Sequence, residues 1–231
     1  MPGMMEVYKR YAANYDELVN AEDWKNNLDR AIRAAVDWND AVVYEAGIGT
    51  GRITKIYIEA ASKCYGYDRE DHMLEACRRN LSAYEEKLFI RTGINESLPD
   101  APEIADIFIE GWSFGHTIIE NENRYVDVFK RMHSRINSIL GGSGTIILIE
   151  SLGTNVSSPS PPKELSASFY AVLENSYGFE KQVLRTDYMF LDSGEAARVL
   201  GFFFGDRMAE DIIEKDIRII PEYTGVWVKK L

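Results

Sequence analysis

Cysteine is nearly absent: Cys64 and Cys77 are the only two in 231 residues. Neither sits in a C-x-x-C or other zinc-type spacing, which argues against a disulfide-stapled secreted fold and against a structural metal. Both lie in apolar runs and read as buried and inert. No stretch approaches the roughly 20 apolar residues that a membrane-spanning helix needs. The first residues, MPGMMEVYKR, lack the apolar core of a signal peptide. A cytoplasmic protein with no membrane partner is expected. Basic residues are also in deficit, with 26 Lys and Arg against 37 Asp and Glu and a net charge of −11. Nucleic-acid backbones and anionic membranes both reward basic surface, so this balance disfavours both as main partners.

What is present is enough for a core. Hydrophobic residues make up 45% and charged residues 27%, which is globular rather than disordered. The length suits one domain, read here as a helical cap over 1–40, a ligand-binding half over 41–150 and a sheet-completing half over 151–231. Residues 5–37 read as helix, because Trp24, Leu28, Ile32 and Val36 recur every four positions. Strands are expected at 41–44, 64–67, 88–90, 105–109 and 145–149. Helices are expected between them, at 51–62, along the Met73, Leu74, Cys77, Leu81 and Tyr84 stripe, and through Val128, Phe129, Met132, Ile136 and Leu140. Such alternation implies right-handed βαβ units and an open, doubly wound parallel sheet. The Ser157–Pro162 run must be a loop. Beyond it the pattern reads as a helix over 163–175, a strand over 179–191, a helix over 193–214 and a last strand over 217–229. The two late strands alternate in polarity and fit an antiparallel end to a mostly parallel α/β sheet.

One segment carries chemistry: Glu45-Ala46-Gly47-Ile48-Gly49-Thr50-Gly51. A strand that runs into glycines at alternate positions leaves no Cβ to keep a ligand from the backbone. Asp68 ends the next strand, where it can accept hydrogen bonds from both hydroxyls of a ribose. Together they point to an adenosine-containing ligand at the carboxyl edge of the sheet. The spacing departs from G-x-G-x-x-G, since Arg52 stands where a dinucleotide fold places its third glycine. A carboxylate such as Glu45 beside a pyrophosphate would cost about 4 kcal/mol per charge pair at 4 Å and an effective dielectric near 20. Beside an ammonium group it is favourable, so a zwitterionic or cationic ligand is preferred to NAD(P).

The E-A-G-x-G-T-G run resembles the first motif of class I S-adenosylmethionine (SAM)-dependent methyltransferases. The likeness continues through Gly66-Tyr67-Asp68, Met73-Leu74-Glu75-Ala76 and Asn80-Leu81. It also includes Tyr11-Ala12-Ala13-Asn14-Tyr15-Asp16, similar to a helix that precedes the fold in small-molecule members. The resemblance implies a seven-stranded sheet with an antiparallel last strand, and an enzyme with SAM as cofactor and S-adenosylhomocysteine as product. Glu45 would then face the methionine amino group, and Gly47, Gly49 and Gly51 would admit the ligand. Asp68 would hold the ribose, and Arg69 and Met73 would flank the adenine. Ile94 occupies the place of the family's usual adenine-binding acid, which leaves backbone, Asn95 or Glu96 for that role. After strand four the chain reads Glu110-Gly111-Trp112-Ser113 rather than the N/D-P-P-Y of nucleic-acid amino-methylating relatives, and Glu110 and Trp112, with Tyr11 and Tyr15, are expected to border the cofactor. A small-molecule acceptor is expected and a nucleic acid is not.

Methyl transfer is an in-line displacement, so much of the catalysis comes from holding the acceptor in line. A base is needed only if the acceptor must lose a proton. Acceptor-side candidates are Tyr8, Tyr11, Tyr15, Trp112, His116 and Glu150. His116 is the best base because imidazole titrates near neutrality, while the plainer reading has it cap or face solvent at the start of the long helix. His72 and His133 sit among charged residues and read as surface. Phe202-Phe203-Phe204 reads as core, with an exposed homodimer patch as the alternative. Two other functions compete: an NAD(P)-binding oxidoreductase, and a SAM-binding adaptor without catalysis.

Overall fold

The computed structural model describes residues 12–231. Tyr8 and Tyr11 lie outside them. Seven strands form the main sheet: β1 (Val42–Ala46), β2 (Lys63–Asp68), β3 (Leu88–Thr92), β4 (Ile107–Gly111), β5 (Thr145–Thr154), β6 (Glu180–Arg185) and β9 (Glu222–Lys230). Their order is β3-β2-β1-β4-β5-β9-β6. Pairing is parallel from β3 through β5, and β9 runs antiparallel between β5 and β6. The chain winds outward from β1 to β3 and returns to start β4 on the other side of β1. That reversal opens a crevice at the carboxyl ends of β1 and β4, the usual ligand position in such sheets.

Strand alternation divides consecutive apolar residues between two cores. On one face Tyr44, Phe108, Ile146, Leu148 and Trp227 meet helices α6 (Tyr125–Ile139) and α7 (Glu164–Tyr177). On the other, Val43, Ile107, Ile109, Ile147 and Val226 meet α2 (Asn27–Ala35) and α4 (Asp71–Asn80). Each fully buried Ile or Phe contributes about 1.5–3 kcal/mol relative to exposure. Cys64 and Cys77 are buried in this second core as free thiols. His133 is a correction to the sequence reading: it is 8% exposed and lies between Phe129 and Tyr177, with ring centroids 6.1 and 4.6 Å away. Burial lowers its pKa to about 4, so it is a neutral core residue.

The sheet is flanked by a third core that the sequence did not suggest. Helix α1 (Ala12–Ala21) packs with α8 (Ser193–Phe204), α9 (Asp206–Glu214) and a two-stranded ribbon of β7 (Tyr188–Met189) and β8 (Ile219–Ile220). Leu18, Tyr188, Phe190, Leu200, Phe203, Ile212 and Ile220 fill it. Phe202 and Phe204 pack against the same cluster, so the phenylalanine stripe is core and not a free dimer patch.

Several long elements of the sequence reading are interrupted, each for a local reason. The helix over 5–37 stops between α1 and α2, where Asp23 and Asn26 take left-handed φ values of 56° and 55°. Asp23 then caps α2, accepting from the N–H groups of Asn27 and Leu28, each at 2.8 Å. The helix over 51–62 shrinks to α3 (Thr54–Tyr57). The helix over 193–214 breaks at Gly205, with φ 100°. The last strand breaks at Pro221, which has no N–H to give to a ladder. The strand over 179–191 leaves the main sheet after Arg185 and joins the ribbon instead. Among the described residues no helix is long and apolar enough to cross a membrane, and no His, Cys, Asp or Glu group could hold a metal ion.

Candidate functional site

The crevice between β1 and β4 is shaped by backbone. Gly47, Gly49 and Gly51 adopt φ values of 65°, 55° and 86°, a region that disfavours side chains. Asp68, at the end of β2, braces this turn: its Oδ2 accepts from the Gly49 N–H at 2.9 Å, while Oδ1 accepts from the Glu70 N–H at 2.9 Å. Ile48 donates its N–H to the Tyr67 carbonyl at 2.9 Å, which fixes the turn to β2. Partial burial raises the Asp68 pKa against these two hydrogen bonds.

Two cavities open here. The first, about 150 Å³, follows Gly47, Gly49, Asp68, Arg69, Met73 and the Gly93–Glu96 loop, and ends at Trp112, Ser113 and His116. The second is larger, about 550 Å³, and lies under the third core. Leu18, Tyr170, Tyr188, Phe203 and Phe204 give it apolar walls, and Glu22, Glu150 and Glu222 reach it as well. Ser160, Pro161 and Pro162 of the Ser/Pro loop close one side. Tyr15, Trp112 and His116 line both cavities.

Comparison with known proteins finds methyltransferases. A family model described as a methyltransferase domain matches residues 44–135, the segment holding the turn, Asp68 and the start of α6. An uncharacterised methyltransferase of Geobacillus thermodenitrificans is 26% identical over 136 residues, 56% of this chain and 62% of that protein. The chain thus spans less than two thirds of that relative's length. The YcgJ protein of Bacillus subtilis shares the fold, with a TM-score of 0.58, 14% identity and coverage of 89% of this chain and 97% of that one. So does a SAM-dependent methyltransferase from Aquifex aeolicus, with a TM-score of 0.56, 11% identity and coverage of 95% and 98%. Residues 44–135 are thus similar to a methyltransferase domain, and the chain shares the fold of these solved structures.

Within this fold, most residues singled out from sequence converge on the first cavity. Met73 stands against the turn, with its Cε 3.6 Å from where a Cβ on Gly49 would lie. Arg69 lines the cavity and pairs with Glu120, Nη1 to Oε1 at 3.0 Å. Asn95 donates to the Thr117 hydroxyl at 3.0 Å, and the exposed Glu96 accepts from Asn121 at 3.3 Å. Tyr15 and His116 stand where the cavities meet, and burial lowers the His116 pKa, which keeps its imidazole neutral.

Two acids depart from expectation. Glu110 lines neither cavity. Its Oε2 accepts from the Ser113 N–H, the Ser113 hydroxyl and the Phe114 N–H, each at 3.1 Å, and Oε1 accepts from the Ile149 N–H at 3.3 Å. It ties off the turn after β4. Glu45 also lines neither cavity, because its carboxyl turns back to accept from the Thr54 hydroxyl at 2.8 Å and from the Tyr57 hydroxyl. Burial raises both pKa values to about 7.

The sequence reading missed Arg52 as a wall. Its guanidinium lies 4.1 Å from the centre of the Trp112 ring and pairs with Glu22 at 3.1 Å. Trp112 itself has φ 54°, rare for a bulky residue, and its N–H is held by the Ile149 carbonyl at 2.7 Å. The displaced third glycine was the only signal: the position that breaks the dinucleotide spacing supplies this side chain.

Proposed function

We propose that this domain transfers a methyl group from SAM to a small-molecule acceptor. The observation that carries the reading is the pair of cavities meeting at Tyr15, Trp112 and His116, one built on the glycine turn and Asp68, the other apolar and roofed. Gly47 and Gly49 fit the cofactor because no Cβ stands between their backbone and the first cavity, whereas Gly51 departs from expectation and packs against Leu81 and Cys77. When bound, SAM supplies an electrophilic methyl group on a sulfonium. Asp68 would accept from the ribose hydroxyls, and Met73 would pack against the adenine. Arg69 and Asn95 would border it. Tyr15 and Trp112 would hold the acceptor's reacting atom in line. His116, neutral in its half-buried setting, would take the acceptor's proton where one must leave. The net charge of −11 and the Glu110–Ser113 sequence after β4 favour a small molecule over a nucleic acid.

The first test is thermal unfolding with SAM, S-adenosylhomocysteine or NAD. A ligand at about 100 times its Kd adds about 2.7 kcal/mol, roughly 5–10 °C for a chain of this size. The expected result is a shift with the first two and none with NAD; a shift with NAD alone refutes the reading. Asp68→Ala should weaken S-adenosylhomocysteine about a hundredfold, since two charge-assisted hydrogen bonds are lost. Calorimetric titration reads this directly, and unchanged affinity removes Asp68 from the ribose role. His116→Ala should leave cofactor affinity within about twofold and lower turnover by roughly two orders of magnitude or more, the range of general-base catalysis. A mutant at full rate removes it as the base.

A further inference from the structure

Three carboxyls line the larger cavity, Glu22, Glu150 and Glu222, and Arg52 is the cation that joins them there. The Glu22 side chain is 5% exposed and Glu222 is 2% exposed. Each is satisfied on one side only. One Glu22 oxygen pairs with Arg52 at 3.1 Å, and one Glu222 oxygen accepts from the Ser151 hydroxyl at 2.9 Å. The remaining oxygens, Glu22 Oε1 and Glu222 Oε2, are buried without a hydrogen-bond partner among the described residues. Tyr188 shares a hydrogen bond with Glu22 and Thr154 with Glu222, so the groups beside both carboxyls are neutral hydroxyls and not further cations.

An unpaired buried acceptor is costly, and two of the residues that border this chamber carry one. A ligand that donates hydrogen bonds relieves both, and one that also carries positive charge balances the surplus acid. The rest of the chamber, Leu18, Tyr170, Tyr188, Phe203 and Phe204 among its walls, calls for an apolar body. We infer that the larger cavity accepts an organic amine in its cationic form, an apolar skeleton carrying an ammonium group that Glu22 and Glu222 bind. Burial and the nearby Glu22 raise the Glu222 pKa to about 8, the direction taken by a carboxyl short of a positive partner. The inference rests on the proposed methyl transfer, whose acceptor it assigns to a chemical class.

The test is calorimetric titration of the whole chain with phenethylamine, tryptamine and decylamine, each beside the alcohol and the carboxylate of matched skeleton. S-adenosylhomocysteine is titrated first, and failure of that step alone counts against the SAM reading and not against the amine site. The expected result is that at least one amine binds roughly tenfold or more tightly than its alcohol and its carboxylate. Glu222→Gln and Glu22→Gln should each weaken that amine by about tenfold while leaving its alcohol and S-adenosylhomocysteine within about twofold. Should a variant fail to fold, the comparison of amine, alcohol and carboxylate on the native chain decides alone. Alcohols that match their amines, carboxylates that bind more tightly, or no binding by any amine would each overturn the proposal.

Discussion

Replacing Gly47 with alanine should cost about 3 kcal/mol of stability, because a left-handed backbone and an overpacked contact each carry roughly 1–3 kcal/mol. At φ 65° a Cβ there would stand 2.3 Å from Ser113 Cβ and 2.5 Å from Ser113 Oγ. Ser113 has little room to retreat, since its N–H and hydroxyl both donate to Glu110 at 3.1 Å. Moving it would uncover a buried carboxyl and displace the loop that carries Trp112. Gly142 supplies the comparison. It has φ 81°, and an added Cβ would meet nothing within 4 Å. Gly142→Ala should therefore lose only the conformational part, about 1 kcal/mol. Urea unfolding followed by tryptophan fluorescence measures both. Equal losses would mean that crowding against Ser113 plays no part.

Stability should also fall as pH rises from about 6 to about 9, the reverse of what salt-bridged carboxylates produce. Glu45 and Glu110 have pKa values raised to about 7, Glu222 to about 8, and Glu150 is pushed up by burial and by Glu110. A carboxyl whose pKa is higher in the folded chain than in the unfolded one favours folding while it keeps its proton. Its contribution is full below the ordinary value near 4.5 and is lost as pH climbs through 7 to 8. For Glu45, a rise from 4.5 to about 7 corresponds to about 3 kcal/mol. The four acids will not add fully, because Glu110 and Glu150 interact. The urea midpoint should be clearly higher near pH 6 than near pH 8.5, and Glu45→Gln, which mimics the protonated form, should flatten the profile. A midpoint that holds steady or rises over that interval contradicts the buried-acid account.

The parts of the site that were legible in the sequence are those where one residue type has one conformational meaning. Alternating glycines after a β-branched strand, and an acid at the end of the next strand, fixed the crevice and its brace. Side-chain direction was not legible in the same way. Glu45 and Glu110 sit on central strands buried on both faces, so polarity alone could not say whether they point to a cavity or into the protein. Helix breaks at Asp23 and Asn26 were hidden because neither residue is obliged to take a left-handed φ. His133 was missed for a different reason. Its charged neighbours suggested surface, while its spacing of four from Phe129 placed it on the inner face of α6. The third core could not be read at all, since its pieces are far apart in the chain.

That separation bears on how the two chambers come into being. Asp68 and Gly49, which border the first cavity, are 19 residues apart. Arg198 and Glu17, which pair α8 with α1, are 181 residues apart. Closing a longer loop carries more entropy and delays the contact. The first cavity can organise early within one βαβ unit, whereas the larger one gains its roof only when both distant segments have reached the finished sheet.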